Sequence, residues 1–190
     1  MLGEGIFVQD GPRWKHSREM LRRQFVRMQY QSLQGFGEHT NDLIDGLRRH
    51  TGTAVDLQPF FFRFTLATTT ALIFGSPVKD GQSETQNAFA SNFDYTSLIT
   101  AIRMRLADFY WAYTPSKYIA ACDSIKAYAD GFIKQALEEK NEEGLSKESN
   151  FAFIKDLFDE YKNPVLVRDQ LLNVLIAGRD TTACLLSWTL

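Results

Sequence analysis

With 190 residues, 44% of them hydrophobic and 23% charged, the chain has the make-up of one folded domain with a sizeable core, which excludes a disordered segment. A formal net charge of −2 singles out no partner and lacks the basic excess of a nucleic-acid binder. Cys122 and Cys184 stand alone and far apart, so neither a disulfide framework nor a metal knuckle is expected, and no apolar run is long enough to span a bilayer.

Helical periodicity dominates in chain order. Asp10-Gly11-Pro12 predicts an N-cap and an early-turn proline for a helix reaching about Met28. A second helix is expected from about Leu33 to His50, weakened by Gly35, Gly37 and Gly46. Asp56 is the expected cap of a third, Leu57 to Phe74, closed by Gly75-Ser76-Pro77. Its stretch FFFRFTLATTTALIF is apolar on nearly every face and belongs in the interior; the threonines would also suit a strand, but the length favours a helix. Lys79 to Ser83 reads as a linker. Two long helices follow, roughly Glu84 to Phe109 and Pro115 to Lys140, joined through YWAYTPS. Asn141 to Asn150 is charged, aperiodic and loop-like, Phe151 to Tyr161 is a short amphipathic helix, and Asn163-Pro164 opens the last one. The chain stops at CLLSWTL, inside an apolar helical pattern without Gly, Asn or Pro, which suggests a cut through a helix and a larger parent protein. No repeat and no change of composition divides the chain. The expectation is a mainly α domain of about seven helices.

Two helices carry residues that a plain packing role does not explain. In the first, Trp14, Arg18, Leu21, Phe25 and Met28 fall on one face, apolar apart from Arg18. A guanidinium on a core-facing stripe is unfavourable unless an anion meets it, and the Trp14 indole N–H points to the same region. Together they could clamp a carboxylate or phosphate. The plainer alternative is that Arg18 reaches the surface or pairs with a nearby Asp or Glu.

In the last helix, LIAGRDTTACLL interrupts an apolar run with Gly178, Arg179, Asp180, Thr181 and Thr182. Each of them weakens a helix relative to Ala, Gly by roughly 1 kcal/mol. Asn173, Ala177, Asp180 and Cys184 share a face. Gly178 leaves room for another body to approach the backbone, and the Thr181 hydroxyl can reach the carbonyl of Ala177 and distort the turn. Asp180 beside Thr181 offers a carboxylate next to a hydroxyl, the parts of a short proton relay. The alternative is surface pairing of Asp180 with Arg179 or Lys155.

AGRDTT, Ala177 to Thr182, resembles the oxygen-activation signature of the cytochrome P-450 family. WKHSR, Trp14 to Arg18, resembles the Trp-x-x-x-Arg of an earlier helix in that family, which holds a haem propionate. The phrase GIFVQDGPRWKHSREMLRRQF is similar to fungal microsomal members that hydroxylate alkanes and fatty acids. The resemblance implies a partial P-450 fold over residues 1–190, the central part of a single domain without the N-terminal anchor region or the C-terminal haem-ligand region. It also implies roles. Trp14 and Arg18 would bind the haem propionate, Ala177 and Gly178 would lie over the haem and leave room for dioxygen, and Asp180 and Thr181 would supply protons for O–O cleavage. Phe7 would border the substrate.

The departures limit what is carried over. No Phe-x-x-Gly-x-Arg-x-Cys loop occurs, so neither Cys122 nor Cys184 is a candidate iron ligand, and the axial cysteine is expected outside this chain. Glu19-Met20-Leu21-Arg22 spells Glu-x-x-Arg but lies within the first helix, the wrong place for the family's pair. The implied whole enzyme is a haem-dependent monooxygenase drawing electrons from NADPH through a reductase, inserting one atom of O2 into an apolar substrate. It would sit at the cytosolic face of the endoplasmic reticulum membrane, and the fragment alone would be inactive. The competing expectation is a haem-free α-helical interaction or scaffold domain with a buried polar cluster.

Overall fold

The segment FFFRFTLATTTALIF can be stable in water only if enclosed on most sides, and the fold is built around it. In the computed structural model, which describes residues 1–28, 33–77, 84–142 and 151–190, it forms α3 (Gln58–Phe74). Phe61, Leu66, Ile73 and Phe74 are all buried there. Its threonines remain helical because their hydroxyls turn back onto the helix. Thr65 donates to Phe61 O at 2.9 Å, Thr68 to Phe64 O at 3.0 Å and Thr70 to Leu66 O at 2.7 Å. Each hydroxyl thus enters the core with an acceptor already in hand. Gly75 ends the helix at φ 72°, the left-handed conformation in which a Cβ would be strained.

The other helices are α1 (Gly11–Met28), α2 (Leu33–Arg48), α4 (Glu84–Arg105), α5 (Ser116–Glu142), α6 (Ala152–Tyr161) and α7 (Pro164–Thr189). Two short 3-10 segments, Ile6–Val8 and Ala107–Ala112, complete the secondary structure, and no strand occurs among the described residues. The fold is therefore mainly α, with seven α-helices among the described residues. α3 and α7 make the most extensive interhelical contact; α2 packs on α3, α4 on α5, and α5 and α6 on α7. Where these helices meet, Phe74 stacks on Phe132 at 4.9 Å and Phe89 on Tyr128 at 4.2 Å.

Most predicted boundaries lie within two residues of the observed ones. Asn163 caps α7, its Oδ1 accepting from the N–H groups of Val165 and Leu166. Asp56 accepts from the Gln58 N–H at 3.0 Å, one position ahead of the residue that caps α3. At the start of α1 it is the Asp10 carbonyl that accepts from the Trp14 N–H. The helix expected to reach Phe109 stops at Arg105. Ala107 turns to φ 47° and a 3-10 segment follows, pinned by Arg103, whose Nη1 donates to Tyr113 O at 2.9 Å. α5 runs two residues into the expected loop, whose remaining residues, 143–150, lie outside the described residues, as does the linker Lys79 to Ser83.

Candidate functional site

α1 is rotated from the orientation its apolar stripe suggested. Its buried residues are Ser17, Met20 and Leu21, whereas Trp14 is 40% and Phe25 38% exposed and Arg18 faces outward. The expected core-facing position of Arg18 is thus corrected: it and Trp14 lie on the exposed side of α1, while the half-exposed Phe25 still meets the core residue Phe153 at 6.1 Å. Two fully buried side chains, Met20 and Ser17, outweigh the periodicity, and Ser17 is drawn inward by hydrogen bonds. Its Oγ donates to Gln9 Oε1 (2.6 Å) and accepts from Gln170 Nε2 (2.9 Å) and Tyr161 OH (2.8 Å). Burial pushes the Tyr161 phenol above its usual range, aided by the neighbouring Glu160 carboxylate and opposed by the Ser17 and Gln170 hydrogen bonds.

On the outward face the Arg18 guanidinium lies 5.5 Å from the Trp14 ring centroid, a cation–π contact. Two other arginines of α1 have carboxylates: Arg13 pairs with Glu4 at 2.8 Å and Arg23 with Glu160 at 3.6 Å. Arg18 has no carboxylate partner among the described residues. A pair of N–H-bearing groups, one of them an uncompensated cation, therefore stands open beside the helix bundle.

The polar turn of α7 is divided between two sides of the helix. Ala177, Gly178 and Thr182 line a cleft of ≈ 360 Å³ together with Thr69 of α3 and Phe25 of α1, so the stripe of α1 borders the same cleft. The body that approaches Gly178 is Thr69. A Cβ at position 178 would lie 2.8 Å from Thr69 Oγ1 and 3.0 Å from its Cγ2. Asp180, with Arg179 and Cys184, lines a larger groove of ≈ 920 Å³ between α7, α3 and α4. Thr181 is exposed, and its Oγ donates to Ala177 O at 2.7 Å, the hydrogen bond expected from the spacing. The expected distortion does not accompany it, because α7 is α-helical without interruption from Pro164 to Thr189. Asp180 and Thr181 are not hydrogen-bonded to each other; the carboxylate is held by Arg179, whose Nη1 donates to Asp180 Oδ1 at 2.8 Å. Lys155, the alternative partner of Asp180, pairs with Glu139 instead.

Arg179 is a residue the sequence left undervalued. It is only 5% exposed, lies over the rings of Phe62 (4.7 Å) and Phe93 (5.2 Å), and bonds Asp94 of α4 as well as Asp180. A buried guanidinium thus connects α4 to the acid of the signature turn. Also missed was the row that Asp169 and Gln170 form with Asn173 one and two turns earlier, all three buried within LLNVL and its flank. The available signal was three polar residues on an otherwise apolar stretch. Cys122 is buried beside Ile99 and Tyr118, and Cys184 is exposed.

The cytochrome P-450 family model matches residues 1–190, the whole chain. The chain belongs to the cytochrome P-450 family. Among its relatives, a cytochrome P-450 of Arthroderma benhamiae is 39% identical over 99% of this chain and 39% of its own length. Cytochrome P-450 52A4 of Candida maltosa is 37% identical over 99% of this chain and 37% of its own length. Cytochrome P-450 52A1 of Candida tropicalis is 36% identical, again over 99% of this chain and 37% of its own length. The chain thus spans about two-fifths of the length of these relatives. Membership in the P-450 family implies a haem cofactor. The donor set on α1 fits one: a partly exposed indole and a guanidinium without a carboxylate partner among the described residues suit a carboxylate such as a haem propionate.

Proposed function

We propose that this chain is the oxygen-activating central part of a haem-thiolate monooxygenase that hydroxylates apolar C–H bonds of the alkane or fatty-acid type. The observation that carries the proposal is the exposed Trp14–Arg18 pair, guanidinium over indole at 5.5 Å, with no carboxylate among the described residues to neutralise the charge. Haem with a thiolate ligand from outside this chain would supply the iron chemistry that reduces and cleaves dioxygen. The residues in hand would do the rest. Arg18 and Trp14 would each donate a hydrogen bond to a propionate. Ala177 and Gly178 would line the cleft where dioxygen must fit, Ala177 keeping the helix surface low and Gly178 admitting Thr69 beside it. Asp180 reaches a groove open to solvent, where its carboxylate can exchange protons with water. The Thr181 hydroxyl, parked on Ala177 O, would turn to donate a proton towards the reacting oxygen. Phe7, 57% exposed, would border the substrate. Electrons would come from NADPH through a partner reductase. The complete enzyme would work at the cytosolic face of the endoplasmic reticulum membrane; among the described residues no helix is long and apolar enough to cross a membrane.

The test is the complete protein reduced and exposed to carbon monoxide. A thiolate-type Soret band is expected, and its absence in haem-reconstituted protein would favour a haem-free helical scaffold. Residues 1–190 alone should give no such band. In the complete protein, Thr181→Ala should uncouple oxygen consumption from product formation with haem still bound, whereas Arg18→Ala should weaken haem retention. Effects of both substitutions on folding stability alone would overturn the assigned roles.

A further inference from the structure

The segment before α1 is held by side chains of α7, backbone against side chain. Glu4 N–H donates to Asp169 Oδ2 at 2.9 Å, Ile6 N–H to Gln170 Oε1 at 3.1 Å and Phe7 N–H to Asn173 Oδ1 at 2.9 Å. Asn173 Nδ2 answers by donating to Leu2 O at 2.8 Å. Gln170 and Asn173 are fully buried, and Asp169 is 2% exposed. Asp169 is itself steadied by Arg168 at 3.0 Å, which reaches on to Asp130 of α5. The two glycines of LGEGIF make this approach possible. A Cβ on Gly3 would stand 2.1 Å from Asp169 Oδ2, and one on Gly5 2.2 Å from Asn173 Nδ2.

Gln170 extends the same row to α1 itself. While its Oε1 holds Ile6, its Nε2 donates to the Oγ of Ser17, the residue immediately before Arg18, and to Tyr161 OH at 3.3 Å. Ser17 is the buried polar residue of α1, and successive helical positions differ by about 100°. Fixing Ser17 inward therefore places Arg18 about 100° and Trp14 about 60° round the same side of the helix, at the flank of its buried face. No other described polar contact of α1 with α7 does this.

We infer that Gln170 and Asn173 are positioning residues for the haem-propionate clamp. They tie residues 2–7 and Ser17 to α7 and so set the rotation of α1 that presents Trp14 and Arg18. This inference rests on the haem assignment above, and the test separates the two. The rate of haem transfer from the complete holoenzyme to an excess of an apoglobin acceptor is measured for wild type, Gln170→Leu, Arg18→Ala and the double variant. Backbone-amide hydrogen exchange at Ile6 and Phe7 is followed alongside. Gln170→Leu should speed haem loss about tenfold, the scale of an outer-shell support, but less than about twofold in the Arg18→Ala background. The Ile6 amide should exchange faster in both backgrounds. Equal acceleration by Gln170→Leu with and without Arg18 would mean general loosening, and would overturn the positioning role while leaving the haem assignment intact. No effect of Arg18→Ala by itself would overturn the haem assignment and this inference with it. Should Gln170→Leu fail to fold, Ser17→Ala breaks the same node from the α1 side by removing one oxygen, and the same pattern of non-additivity decides.

Discussion

Replacing Gly178 with Ala probes the closest approach between α3 and α7. In an open helix the change would stabilise by about 0.5–1 kcal/mol, because Gly is a poor helix former. Here the new methyl would meet Thr69 Oγ1 at 2.8 Å and Cγ2 at 3.0 Å, with the Thr69 Cβ behind them at 3.5 Å. Both branches of Thr69 already face Gly178, so any other staggered rotamer leaves at least one heavy atom in the contact. Overpacking of this kind costs about 1–3 kcal/mol, which leaves a net destabilisation of about 1 kcal/mol. Thr69→Ala removes both offending atoms and leaves an ordinary 3.5 Å contact. In that background Gly178→Ala should change sign and stabilise by about 0.5–1 kcal/mol, a coupling of about 2 kcal/mol. Urea melts of the four variants, followed by helical circular dichroism, read this directly. If Gly178→Ala destabilises by the same amount in both backgrounds, close packing against Thr69 is not what requires a glycine there.

Three further outcomes follow from the same geometry. Asp94→Ala should cost only about 1 kcal/mol, because the Asp94 side chain is 61% exposed and Asp180 still compensates Arg179. Adding Asp180→Asn leaves a buried guanidinium with no carboxylate, so in chemical denaturation the pair should exceed the sum of the single losses by more than about 1 kcal/mol. Gly5→Ala should drive the segment ahead of α1 off Asn173 and release hydrogen bonds of roughly 1 kcal/mol each, seen as faster exchange at the Ile6 and Phe7 amides. Burial, the largest cause at each, raises the Tyr118, Tyr128 and Tyr161 phenols above 10.0. The unfolded chain then loses these protons first, so their contribution is complete below about pH 10 and is lost as pH rises through the folded values. An alkaline titration of stability should therefore fall above about pH 10, and Tyr161→Phe should flatten part of the fall; an unchanged slope would contradict the burial argument.

Much of this protein could be read residue by residue. Helix ends were legible because their signals are local: Asn163 before Pro164 and Gly75 after Phe74. So was the hydroxyl of Thr181, four residues from Ala177. The burial of α3 was legible because a segment apolar on every side has only one environment available. The motif turns were legible as well, since Trp14 and Arg18 are one helical turn apart and Ala177 to Thr182 are contiguous. Which way those turns face was not. Periodicity ranked Arg18 with the core, yet the inward pull of Ser17 and Met20 rotates α1 the other way, and that pull comes from Gln170 and Tyr161, far along the chain.

The sequence by itself thus determined the helices, most of their limits and the two family motifs, because each depends on neighbours within about four residues. Only the tertiary structure decided what surrounds them. Asp169 holds a backbone N–H 165 residues away at Glu4, Arg179 is buried between rings of α3 and α4, and the glycine of the signature turn is pressed by Thr69. Such contacts join helices whose side chains carry no mark of their partners. They come into being when α7 packs across α3, since that crossing settles which polar groups are shut away from water and must find one another.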